Sequence, residues 1–472
     1  MTPSKKIRIL PLAIQKKIFW GIFFLLAANI FWFSFQNTLP YIKADGWRFI
    51  DIYLIPWNEG TLTLSSLFKD HHPQPIVATL FIINAELFNL RMDYEGLLGV
   101  LFIVLSSLIL IREFEKHSLG LLASIASAIV IMSLVSTNVY TWSLVTIGYI
   151  EGLFSLLVII KLNKASEEKF NYRNSFIQII WLTAFLTFFG DGAKLVAAAI
   201  ILAFLISSLL KKDFIYLKLS SVILISIFLN KLIYSALGLQ SNTQYSITAD
   251  TINKTLEHFV NLTQYIGIGL MSAWGNISDY KKIFDLNNQD IEVGGTIILL
   301  VYILTFFIYY KSKIHLKTQT PITLIILGIL TALAGWIFRY NPDMQEPISA
   351  NIPRYYRMYS LSLVGIIWVW VEYIKNKSIE VKAGVNFAII LIISSHLWAT
   401  TSGWNMSKYI RKGISNVNST IITHGNNDFN ARPSYFVTGN NYPEPYKKSI
   451  KYIKENKMNL FMEKGFIEKY NN

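Results

Sequence analysis

The chain has 472 residues, of which 53% are hydrophobic and 15% charged, with a mean hydropathy of +0.41. Soluble domains carry about 25% charged residues, so this composition cannot cover a water-facing surface; it excludes an ordinary soluble enzyme, a disordered chain and a collagen-like one. The net charge of +14 points to membrane topology before nucleic acid, and the absence of cysteine excludes disulfides, thiol nucleophiles and Cys-based metal sites.

In chain order, Lys5, Lys6, Arg8, Lys16 and Lys17 precede an apolar run with no small-residue cleavage site, the pattern of an uncleaved first span. Runs that approach or exceed the roughly 18–20 residues of a membrane helix lie at 18–35, 96–111, 118–136, 142–160, 175–190, 194–210, 217–237, 294–310, 320–338, 359–374 and 383–400. The expectation is an all-α integral membrane protein of about 11 spans, within a range of 11–13.

Charge decides a further run, Ile76–Leu90. If it does not span, twenty Lys and Arg fall in short inner segments: the five above, Arg112 and Lys116, Lys161 to Arg173, Lys211 to Lys218, Lys311 to Lys317, and Lys375 to Lys382. That agrees with the excess of Lys and Arg in cytoplasmic loops, so 76–90 is expected to lie on the outer surface as an amphipathic or re-entrant helix.

The expected layout is a membrane module over 1–400 and an outer tail domain over 401–472. The outer pieces are the loop 36–95, the loop 238–293, the loop 339–358 and the tail, whose helix is expected around Tyr446–Tyr470. The N-terminus would be cytoplasmic and the C-terminus outside, in the cell's inner membrane. The Ile, Lys and Asn bias suggests an AT-rich, bacterial source.

The inner segments hold no Walker-type phosphate loop or Gly-rich nucleotide cradle, and no inverted repeat is visible. Ionisable residues in the spans are few: Glu151, Lys231 and Asp191 sit near helix ends. A proton- or ion-coupled pump needs more.

The first outer loop is the most loaded segment. It holds Asp45, Trp47, Arg48 and Asp51, then Trp57 and Glu59, then Asp70, His71 and His72. Asp45 follows the first span by about ten residues and is the expected base, with Asp51 or Glu59 in reserve. His71 and His72 would assist at a phosphate or acceptor; as neighbours they point apart and do not make a shared metal site. Trp47 and Trp57 offer flat faces to a sugar, although tryptophan also populates membrane interfaces.

A second group lies at Arg339, Arg354, Tyr355 and Arg357, where guanidinium forks would hold an anionic lipid phosphate. A third is the turn Phe189-Gly190-Asp191-Gly192, with Lys194 beside it.

On Asp45-Gly-Trp47, Asp70-His71-His72-Pro73, Pro353-Arg354-Tyr355-Tyr356 and Tyr442-Pro-Glu-Pro, the chain resembles the GT-C membrane glycosyltransferases, and a group of uncharacterised bacterial members in particular. It departs from them at Gln74, where relatives often show an arginine after the histidines, and in having a lone Asp45 where many have an acidic pair. The resemblance implies transfer of a sugar from a polyprenyl-phosphate donor to an envelope glycan or lipid, among membrane lipids and with no nucleic acid. No cofactor motif is present, and a divalent metal beside Asp45 stays open. A polysaccharide polymerase or ligase, or a lipid-linked sugar flippase, are the alternatives.

Overall fold

The computed structural model describes residues 12–38, 42, 45–68, 75–167, 172–238, 249–340, 345–351, 355–424 and 443–462. Among them the chain is helical with no strand, the form that satisfies backbone polar groups within one segment where water cannot. In order come α1 (Leu12–Asn37), α2 (Asp45–Phe49), a π-helical turn (Ile50–Leu54), α3 (Ile55–Asn58), a 3-10 turn (Leu64–Phe68), α4 (Pro75–Phe88) and α5 (Met92–Lys116). Next are α6 (Leu121–Met132), α7 (Thr137–Thr141), α8 (Ser143–Ile147), α9 (Tyr149–Glu167), α10 (Tyr172–Lys211) and α11 (Phe214–Ala236). The remainder are α12 (Ala249–Glu257), α13 (Phe259–Met271), α14 (Ile277–Phe284), α15 (Asn288–Lys311), α16 (Thr320–Arg339), α17 (Tyr356–Ile374), α18 (Ile379–His424) and α19 (Pro443–Glu455).

Eight of the described helices are long and apolar enough to cross a membrane. The expected runs 175–190 and 194–210 share α10, which reverses at Gly190. Asn230 donates to Thr187 Oγ1 (3.0 Å) and Ser226 to the Ile179 carbonyl (3.4 Å), so the first half of α10 runs parallel to α11. Phe204 and Tyr216 meet at 5.5 Å, so the second half runs back alongside α11. Gly190 takes φ +70°, a conformation that glycine reaches without a Cβ penalty.

The basic segments gather at one end of the bundle. Lys16 pairs with Glu115 (3.9 Å), Lys375 donates to the His117 carbonyl (2.9 Å), and Lys317 and Lys375 both reach Glu372. Asn163 donates to Thr320 Oγ1 (2.7 Å) and Ser207 to Gln319 Oε1 (2.6 Å) at the same end. Since α1 starts and α5 finishes there, the chain between them leaves and re-enters at the opposite, loop end. α4 therefore does not cross the bundle.

One stretch of the expected outer loop 238–293 enters the bundle. α13 packs beside α15 so closely that a Cβ on Gly267 would overlap the Gly295 carbonyl, and it stops at Met271. α6 also stops early, at Met132. Buried helix ends leave carbonyls without intrahelical donors. At the end of α6 the Val130 and Ser133 carbonyls accept from the Tyr356 and Tyr140 hydroxyls (3.0 and 3.1 Å), and α18 bonds the Ser133 side chain and the backbone just past α13. His396 bonds through Nε2 to the Ala273 carbonyl (2.9 Å) and through Nδ1 to Ser133 Oγ (2.7 Å), while Ser395 donates to the Trp274 carbonyl (2.9 Å).

At the loop end a second apolar core joins segments about 400 residues apart in sequence. Trp47, Phe49, Tyr53, Phe81 and Ile82 pack with Ile450 and Ile453 of α19. Ser449 donates to the Trp47 carbonyl (2.9 Å), and Asn459 bonds to the Asn89 and Leu90 carbonyls (2.9 and 2.7 Å). The tail helix is shorter than expected, ending at Glu455 where the sequence suggested Tyr470. Lys457 and Asn459 both take φ +51°, which breaks the helix and turns the Asn459 amide onto the first loop.

Candidate functional site

Pro56 accounts for the π-helical turn that carries Asp51. Proline has no N–H and presses on the carbonyl four residues back; the turn before it widens, and the Ile55 N–H bonds to the Ile50 carbonyl. Such turns occur often at functional sites. Asp51 faces Lys448 of α19 at 3.2 Å. Trp47 is 3% exposed and belongs to the apolar core, so its ring presents no open face, whereas Trp57 is 49% exposed and donates to Glu86 Oε1 (2.9 Å). Glu59 is exposed at the end of α3, and Arg48 is half-buried in α2.

α2 begins at Asp45 and α16 ends at Arg339; the side chains of both lie outside the described part of the structure, as do His71, His72 and Arg354 altogether. Tyr355 caps the start of α17 and lies edge-on to Tyr359, 6.4 Å between ring centres.

Two of the expected groups do come together. Arg357, in the first turn of α17, donates through Nη2 to Glu151 Oε2 and through Nη1 to the Gly148 carbonyl (3.1 Å). Glu151 lies against the α10 reversal: a Cβ on Gly192 would occupy the place of its carboxylate, and Asp191 lies within electrostatic reach. Gly148 likewise leaves room for the guanidinium, whose Nη1 would stand 2.8 Å from an added Cβ. Gly192 is thus the space that lets an acid from α9 meet an arginine from α17. At the reversal Asp191 and Lys194 pair at 2.9 Å, both about half exposed. Phe68 of the first loop stacks edge-on against Tyr234 beside them (5.5 Å).

The pair is buried but incompletely satisfied. Glu151 is 5% exposed, and its Oε1, the Tyr149 hydroxyl and Arg357 Nε are all buried with no hydrogen-bond partner among the described residues. Tyr149 lies within electrostatic reach of Arg357. Buried polar atoms are nearly always paired, so the guanidinium Nε, the carboxylate Oε1 and the Tyr149 hydroxyl together keep hydrogen-bonding capacity for a further polar group. Two donors and one carboxylate oxygen suit an anion that also carries hydroxyls.

The site is recessed. Tyr302 of α15 and Ser362 of α17 share a hydrogen bond of 2.8 Å, a register that starts α17 roughly 12 Å deeper than α15 at ~1.5 Å per residue. Ile147 joins the second core while Gly148, next in the chain, accepts from Arg357. The first-loop unit and the arginine site are therefore adjoining.

Glu151 and Tyr149 were not among the expected site residues. The available signal was an acid inside the apolar run 142–160, which is rare in spans and usually functional. Among the described residues no group of three or more His, Asp or Glu comes together as a metal site. No protein-family model, curated protein or solved structure matches the chain.

Proposed function

We propose that this protein is an integral membrane glycosyltransferase of GT-C type. It takes a sugar from a polyprenyl-phosphate donor and moves it to a cell-envelope glycan or lipid on the outer face of the membrane. The observation that carries the reading is the buried Arg357–Glu151 pair with its unpartnered donors, lying toward the loop end of the bundle. A guanidinium with a free N–H, near a tyrosine hydroxyl, suits a lipid phosphate held at the membrane boundary.

In this reading the basic end is cytoplasmic and eleven spans cross the inner membrane, the α10 reversal counting as two. Asp45 is the base that takes a proton from the acceptor hydroxyl, with Asp51 or Glu59 in reserve. Arg357, with Arg339 and Arg354, holds the donor phosphate as negative charge builds on it, an interaction worth about 10²–10³ in rate for one well-aimed donor.

Lipid-linked sugars and envelope glycans of cells carrying wild type, a deletion, Asp45→Asn and Arg357→Gln at equal expression test the proposal. The expected result is loss of one envelope sugar in the deletion and both variants, with its polyprenyl-phosphate donor accumulating. An unchanged glycan profile in the deletion would remove the transferase reading.

A further inference from the structure

The turn Gly190-Asp191-Gly192, the acid Glu151 and the orphaned atoms around Arg357 point to one device. Glu151 neutralises Arg357 but does not saturate it, since Arg357 Nε and the Tyr149 hydroxyl remain free donors at the same spot. A carboxylate of this kind occupies the position that a ligand anion would take. From this geometry we infer that Glu151 is an exchangeable counter-ion: a phosphate-bearing ligand displaces it from Arg357 and takes over the guanidinium. This rests on the phosphate reading above and adds to it that the site carries its own acid as a resident counter-ion.

Two physical arguments support the exchange. A buried arginine without a partner is strongly unfavourable, so Arg357 needs a resident anion whenever no ligand is bound. A phosphate offers more oxygens to the guanidinium fork and to Tyr149 than the single Glu151 oxygen that now accepts from it. Asp191 and Lys194, next to Glu151 at the reversal, are about half exposed, so the pair lies directly beneath a polar surface.

The exchange makes a prediction that a structural ion pair does not: removing the acid should tighten anion binding. Two variants release Arg357 by different routes. Glu151→Gln keeps the shape and an acceptor oxygen while deleting the charge. Gly192→Ala, at a position whose φ is not positive, places a methyl where the Glu151 carboxylate now lies. The double variant Arg357→Gln/Glu151→Gln leaves no buried charge unpaired and serves as the folded control.

Binding of farnesyl phosphate and, separately, of inorganic phosphate to the purified full-length protein is to be measured by calorimetry in detergent. The expected result is farnesyl phosphate binding about tenfold tighter than wild type in Glu151→Gln and in Gly192→Ala, and lost in the double variant. Equal or weaker binding in both single variants, with wild type binding normally, overturns the exchange while leaving the phosphate-donor reading intact. Absence of binding in wild type and both single variants overturns the two together. Inorganic phosphate binding as tightly as farnesyl phosphate, with the same order among variants, supports the exchange and assigns the anion to a free phosphate instead of a lipid.

Discussion

At the scale of single residues, two glycines and one histidine do most to shape the loop end. Gly148 and Gly192 leave the volume into which Arg357 and Glu151 fit, so their role is read from what a Cβ would strike. His396 is fully buried and bridges Ser133 to the Ala273 carbonyl, and Tyr356 shares Ser133 at 3.2 Å. Replacing it with leucine keeps the bulk but strands the Ala273 carbonyl, at about 1–3 kcal/mol for the unsatisfied group, and leaves the Ser133 hydroxyl only Tyr356 as partner. His396→Leu should therefore unfold at a clearly lower temperature in detergent; an unchanged midpoint would mean the bridge contributes nothing. Arg357 was legible in the sequence because a basic residue on the outward side of a span is uncommon. Its partner was not, because α9 and α17 lie 206 positions apart at the contact.

At the scale of elements, the informative cases are those where a helix breaks. The Gly190 reversal was readable, since glycine flanked by two apolar runs of helical length favours a turn. The π-helical turn was not, although Pro56 explains it once the surrounding helix is seen. Gly190→Ala should cost about 1–3 kcal/mol, because φ +70° with ψ −141° is a conformation essentially reserved for glycine, visible as a lower unfolding midpoint. α19 is anchored by Ile453, which is fully buried against the first loop. Ile453→Ala should cost about 2–4 kcal/mol locally and raise amide exchange in residues 45–58. Exchange there equal to wild type would show that the tail merely rests on the loop.

At the scale of the whole molecule, the topology is testable with little background because the chain has no cysteine. Lys313→Cys and Lys377→Cys lie at the basic end; Thr61→Cys, Lys281→Cys and Lys451→Cys lie at the loop end. An impermeant maleimide on intact cells should label the second set and spare the first. Asn89→Cys should label with Thr61→Cys, because α4 between them does not cross the bundle; labelling of only one of these two positions would contradict that path.

The sequence by itself determined that this is a helical membrane protein, and it separated the basic segments from the loops. Hydropathy and charge act residue by residue against a bilayer about 30 Å thick and need no knowledge of neighbours. Only the tertiary structure decided that α13 enters the bundle and ends against His396, that the tail completes the core of the first loop, and that Glu151 meets Arg357 across Gly192. Each depends on contacts between segments distant in sequence, where the controlling quantities are the space a glycine leaves and the hydrogen bonds a broken helix lacks. Neither quantity has a periodic trace in one chain's sequence.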